Sequence, residues 1–184
     1  GVQPGIGNRR SVQDVLTLSE GSPRTLQVLS DRKDIACVLV NPMQVMHLNR
    51  DAPSDQTLIL GQRVNQPEPD RYTKWLHQLR ELCKQRGIVF ILDEVFTGFR
   101  LASGGAKEYF DISPDLITYG KSLGGGLPVG VVCGTRELMR RFKPNRPADV
   151  CLARGPFNSH PEVMGTRNRF LQRIDSDDCF SIYA

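Results

Sequence analysis

Asp93 and Lys121 stand where a side chain can do chemistry rather than merely face solvent. Each follows a short apolar run: Ile88–Leu92 (IVFIL) leads into Asp93-Glu94, and Leu116–Tyr119 (LITY) leads into Gly120-Lys121. One chemistry to consider is nucleotide binding. Val89–Glu94 has the look of the apolar strand and acid of a P-loop NTPase, and Gly120-Lys121-Ser122 that of the end of its phosphate loop. That reading fails twice. The loop needs Gly five positions before Gly120, and position 115 is Asp; the Lys should precede the acidic strand, and here it follows by 28 residues (121 − 93). An aldehyde cofactor fits better. Pyridoxal phosphate needs a lysine amine for a Schiff base and a carboxylate that keeps its pyridine nitrogen protonated. An Asp ending one strand and a Lys ending another could reach two sides of one flat ring. Gly124–Gly126 after the Lys would let backbone approach closely.

The elements that must hold these residues alternate between strand-like and helix-like patterns. A short helix is predicted from Pro23 to Leu29. Ala36–Val40 (ACVLV) reads as a strand buried on both faces, ended by Pro42. Residues 43–68 are polar and read as a long loop. Tyr72, Trp75, Leu76, Leu79, Leu82 and Cys83 recur at helical spacing, and Gly87 stops the run. Ile88–Leu92 is a second buried strand, Phe110–Asp115 a turn, Leu116–Tyr119 a third strand and Val129–Cys133 a fourth. Thr135 is expected to cap a helix reaching Phe142, with Glu137 in its first turn. Residues 143–160 read as loop, and Pro161 to Arg173 as a final helix with Pro in its first turn. The order implies an α/β fold with a mostly parallel sheet and flanking helices, which binds ligands at the carboxyl ends of its strands.

Composition narrows the classes. The chain has 184 residues, one domain by length, with 39% hydrophobic and 24% charged residues, a composition that supports a globular core. The net charge of +4 comes without a long basic run, so nucleic acid is not an expected partner. No apolar run is long enough to span a membrane as a helix, and none reads as a signal peptide. Five cysteines at 37, 83, 133, 151 and 179 form no CxxC, and the histidines at 47, 77 and 160 do not join them at zinc-ligand spacing, so no metal is expected. The odd count suits a reducing, cytoplasmic compartment. Cys83 and Cys133 are expected as small core residues, Arg140, Arg141 and Lys143 as a solvated helix end, and His160 as a loop-packing histidine.

Three blocks together resemble class III (omega-type) pyridoxal-phosphate aminotransferases: ILDEVFTGFR (Ile91–Arg100), DLITYGKSLGGGLPVG (Asp115–Gly130) and ARGPFNSHPEVMG (Ala153–Gly165). The likeness covers roughly residues 5–180. It is greatest to the glutamate-1-semialdehyde aminomutase-like branch, which includes aminotransferase modules of polyketide and peptide synthases. The resemblance implies a fold-type I enzyme that moves an amino group by transamination or by a 1,2-shift (an isomerase), in secondary-metabolite biosynthesis. It implies that Lys121 carries the cofactor and later moves a proton, and that Asp93 pairs with the pyridine nitrogen. Val95 would pack on a ring face, though plain core is an equal reading. Gln44 would bond the cofactor's phenolic oxygen. The implied partners are a small-molecule amino donor and a carbonyl acceptor, with a homodimer when full length.

The sequence departs from the family pattern at two places. Asn41-Pro42-Met43-Gln44 falls where the family usually has Glu-Pro-x-Gln, and the missing Glu leaves substrate choice open. Pro156 stands where a threonine is expected to bind the phosphate of the neighbouring subunit's cofactor, and Pro offers neither hydroxyl nor N–H. Residues 1–184 are expected to be part of the large, cofactor-binding domain, with the phosphate cradle lying upstream and the small domain downstream. The alternative function is a truncated, non-catalytic aminotransferase remnant.

Overall fold

The computed structural model describes residues 14–42, 69–140 and 160–176. Its elements in chain order are α1 (Pro23–Asp31), β1 (Cys37–Val40), α2 (Pro69–Arg86), β2 (Val89–Glu94), α3 (Gly105–Tyr109), β3 (Leu116–Tyr119), a 3-10 turn (Lys121–Gly124), β4 (Val131–Gly134) and α4 (Pro161–Ile174).

Local chemistry accounts for the helix ends. Ser22 caps α1 by accepting from the Arg24 backbone N–H at 3.3 Å, with Pro23 in the first turn. Gly87, at φ 66°, ends α2 in a left-handed residue. The Ile88 N–H reaches the Cys83 carbonyl at 2.9 Å and the Gly87 N–H the Lys84 carbonyl at 3.4 Å, the paired bonds of a Schellman stop. The chain is thereby turned straight from α2 into β2.

The strands form one sheet in the order β1-β2-β3-β4, with the first two pairings parallel and the last antiparallel. The fold is α/β with a mostly parallel sheet, as the pattern of elements implied. Along β2, Phe90, Leu92 and Glu94 are buried while Val89, Ile91 and Asp93 are half-buried. The even-numbered side chains join one core with Leu29 of α1, Trp75, Leu76, Leu79 and Cys83 of α2, and Phe110 and Ile112 beyond α3. α1 and α2 therefore pack on the same side of the sheet. Burial pushes the Cys83 thiol up to about 11, so it stays protonated at neutral pH.

Four expectations need correction. Ala36–Val40 was expected to be buried on both faces, but among the described residues β1 lies at the sheet's edge, and its Cys37 and Leu39 side chains are exposed, Leu39 at 62%. Only its Val38 and Val40 side meets the core. The helix expected from Thr135 to Phe142 is a single turn within the described residues: the Met139 N–H bonds the Thr135 carbonyl at 3.0 Å, and Thr135 Oγ1 accepts from the Leu138 N–H at 3.5 Å. The cap formed, but no helix lengthens behind it by Arg140, and Leu138 is exposed. Cys133, expected in the core, is exposed on the edge strand β4. His160 is exposed too, at the N-cap of α4, and makes no side-chain cap bond. The predicted loops over 43–68 and 143–159 lie outside the described residues.

One ion pair ties the layers together. Arg80 of α2 forks onto the Asp115 carboxylate with two bonds of 2.9 Å, and Asp115 Oδ2 also accepts the Phe90 backbone N–H at 2.8 Å. The Arg80 guanidinium lies 5.9 Å from the centre of the Phe90 ring. Removing the carboxylate strands a backbone donor and a guanidinium that are both largely out of water. Asp115→Ala is expected to cost about 2–3 kcal/mol of stability, read as a lower urea midpoint with an unchanged m-value.

Candidate active site

β2 and β3 run parallel, so their carboxyl ends lie side by side, and the pairing sets Asp93 against Thr118 and Glu94 against Tyr119. Asp93 points to the face opposite the core. Its Oδ1 accepts twice, from Thr118 Oγ1 at 2.8 Å and from the Val95 backbone N–H at 3.1 Å. The Val95 bond closes an Asx turn that bends the chain at the strand end. No described residue donates to Oδ2.

Two residues past β3, Lys121 begins the 3-10 turn. It adopts φ 43°, as one of three non-glycine residues at positive φ among the described residues, with Phe99 and Asp111. For a residue with a Cβ this conformation costs on the order of 1 kcal/mol. Lys121 is exposed, and its ammonium lies 5.5 Å from the centre of the Phe96 ring. Arg100 stacks on the same ring at 4.9 Å. Gly120 lets the Asp93 and Lys121 turns approach: a Cβ there would meet the Val129 carbonyl at 3.2 Å and the Val95 side chain at 3.3 Å. Val95 thus stands at the junction of both strand ends. The structure brings Asp93, Val95 and Lys121 to one end of the sheet; Gln44, Cys151 and Pro156 lie outside the described residues.

Glu94, which the sequence offered no reason to separate from Asp93, has a different task. It is 1% exposed and accepts the Ala106 N–H at 2.6 Å and the Lys107 N–H at 3.0 Å. It therefore ties the start of α3 to the end of β2. Gly105 makes this possible: it sits at φ 74°, and a Cβ would lie 2.1 Å from Glu94 Oε2. No local sequence signal marks this strut, since Glu94 and Gly105 are eleven residues apart. Burial raises the Glu94 carboxyl above its ordinary range, opposed by the two backbone donors. Burial, and then the Glu94 charge, push the Tyr119 hydroxyl up to about 12. Phe99 packs on Tyr119 at 5.3 Å and on Phe170 of α4 at 5.3 Å, which holds the turn after β2 against α4.

The arrangement fits pyridoxal phosphate on two points of its own. One carboxylate oxygen is fixed by two donors while the other has none among the described residues, and a lysine stands exposed at the next strand end. Among the described residues no three His, Cys, Asp or Glu could hold a metal ion, and no helix is long and apolar enough to cross a membrane.

Comparison with known proteins agrees with this class of site. Residues 69–160 match the family described as Aminotransferase class-III. A glutamate-1-semialdehyde 2,1-aminomutase from Methanococcus maripaludis is 35% identical over 173 residues, 94% of this chain and 35% of the relative. An omega-transaminase from Sphaerobacter thermophilus superposes with a TM-score of 0.72 at 28% identity, covering 93% of this chain and 35% of that one. A transaminase solved with PLP bound superposes at 0.61 and 28% identity, over 86% of this chain and 32% of that one. The chain belongs to the class III aminotransferases, a pyridoxal-phosphate-dependent family. It spans about a third of the length of the curated relatives it matches.

The Glu94 strut gives a pH signature. A carboxyl raised in the folded state holds its proton longer there than in the unfolded chain. Its contribution is fully present below the ordinary carboxyl range and is lost as pH rises through the raised value. Glu94→Gln removes that slope, although its amide leaves one backbone donor short at every pH. The stability of Glu94→Gln relative to the natural protein is therefore expected to improve as pH is raised from about 4.3, the ordinary Glu value, towards 7. Urea midpoints at a series of pH values check it; a constant difference would show that Glu94 titrates normally.

Proposed function

We propose that the protein acts in pyridoxal-phosphate-dependent amino-group transfer, as a transaminase or a 1,2-aminomutase. The observation that carries this reading is the placement of Asp93 and Lys121 at the neighbouring carboxyl ends of β2 and β3. When bound, the cofactor supplies an aldehyde that condenses with amines and a pyridine ring that draws electrons from the bond being broken.

The chain's own residues do the rest. The Lys121 amine would hold the cofactor and, once freed by an amino donor, would move a proton at the substrate's α-carbon. Asp93 would hold the ring nitrogen's proton through Oδ2, which has no donor among the described residues. Val95 bounds the ring face beside Gly120, and Gln44 is assigned the phenolic oxygen. Residues 1–184 are read as part of the large cofactor-binding domain. The substrates are a small amino donor and a carbonyl acceptor, and the working unit is a homodimer. The relatives named as aminomutases support the 1,2-shift, and those named as transaminases support transfer between two molecules. A setting in secondary-metabolite biosynthesis or in a synthase module rests on the sequence likeness alone. The thiols of Cys37, Cys83 and Cys133 are all free, which suits a cytoplasmic protein.

Borohydride reduction of the holoenzyme followed by peptide mapping is expected to place the cofactor on Lys121. Label on Lys107 or Lys143 with Lys121 clean would refute the assignment, and a protein that takes up no cofactor would favour the non-catalytic remnant. Asp93→Asn is expected to lower turnover about 100-fold, since electrostatic stabilisation of this kind is worth roughly 3 kcal/mol. Cofactor occupancy, read by absorbance, should change far less.

A further inference from the structure

We infer that Thr118 is a positioning residue for Asp93, and that its hydroxyl selects which carboxylate oxygen faces the cofactor's ring nitrogen. This rests on the reading of Asp93 given above. A carboxylate turns readily about its last side-chain bond, since that torsion is broad. The Val95 N–H alone would hold one oxygen by a local bond at 3.1 Å. The Thr118 hydroxyl adds a second donor to the same oxygen at 2.8 Å, from a different strand. With Oδ1 engaged twice and no donor to Oδ2 among the described residues, Oδ2 is left as the acceptor for an incoming ring N–H.

The register gives this bond a further consequence. Thr118 sits directly opposite Asp93 in the parallel pairing and only three residues before Lys121. One strand therefore both carries the amine and orients the carboxylate across from it. A shift of β3 along β2 would disturb both groups together rather than one at a time. Thr118 is half-buried on the face opposite the core, so its methyl group contributes little to the packing of the main cluster.

The test uses the holoenzyme loaded with ring-15N pyridoxal phosphate and compares Thr118→Val, Thr118→Ser and Asp93→Asn. Valine keeps the branched shape and removes the donor; serine keeps the donor and removes the methyl. Thr118→Val is expected to move the ring-nitrogen shift towards the unprotonated value and to lower kcat about tenfold. Thr118→Ser is expected to recover most of both. A packing role predicts the reverse order, with Ser the worse variant, and that order would overturn the proposal. So would a Val variant with an unmoved 15N shift while Asp93→Asn shows a large one. If Asp93→Asn itself leaves the shift unmoved, the assignment of Asp93 fails, and the inference about Thr118 falls with it. Should Thr118→Val not fold, Thr118→Ala against Thr118→Ser reads the hydroxyl instead: equal shifts in the two would overturn the role.

Discussion

The register between β2 and β3 decides where every other group at the sheet end falls, and Asp115 sets it. Its carboxylate accepts the Phe90 N–H, its own N–H donates to the Phe90 carbonyl at 2.9 Å, and its carbonyl accepts the Thr135 N–H at 3.0 Å. Arg80 fixes the same carboxylate from the helix layer. With the start of β3 held there, Leu116 falls opposite Ile91 and Thr118 opposite Asp93. A slip of one residue would present Ile117 or Tyr119 to Asp93 and turn the core residues of β3 outward. The ion pair is only part-buried, with about a quarter of each side chain exposed, so its worth lies in where it holds the strands as much as in its strength.

Beyond that register, the strand ends are shaped by close approach. Asp93 bends the chain through the Val95 N–H, Gly120 gives room for Val95, and Gly98 lies under Tyr119, where a Cβ would meet the ring at 2.9 Å. These contacts leave little freedom in the turns that carry Val95 and Lys121. The strained backbone of Lys121 follows Gly120 and opens the 3-10 turn, which Gly125 caps close to Thr166 of α4, where a Cβ would meet Thr166 at 2.9 Å. Preorganisation of this kind puts the cost of ordering into folding rather than into the chemical step.

What could be read in advance follows the range of the forces involved. The periodicity of Tyr72 to Cys83 and the stop at Gly87 are local signals, and α2 runs through them to Arg86. The apolar runs ending at Asp93 and Tyr119 are local too, so both strands, and the placing of Asp93 and Lys121 at neighbouring strand ends, were legible. Burial on a sheet's two faces is not local. Ala36–Val40 has the composition of a central strand, yet among the described residues it lies at an edge. A cap at Thr135 is a local signal, whereas a helix behind it needs a partner surface. α3 escaped because its five residues carry no periodic pattern, and its anchor, Glu94, is eleven residues upstream of Gly105.

The neighbours Asp93 and Glu94 show how one strand assigns opposite tasks to equal charges. Strand side chains alternate, so consecutive carboxylates must leave on opposite faces. Glu94 goes to the core, where it meets two backbone N–H groups that had no other acceptor and where its burial raises its carboxyl above the ordinary range. Asp93 goes to the other face, where its register partner is a threonine rather than an apolar residue. Exchanging the two would leave the start of α3 without its acceptors and would place the longer side chain opposite Thr118. The extra methylene would carry the carboxylate past the hydroxyl that orients it. The short acid on the open face and the long acid on the core face thus each match the donors that meet them.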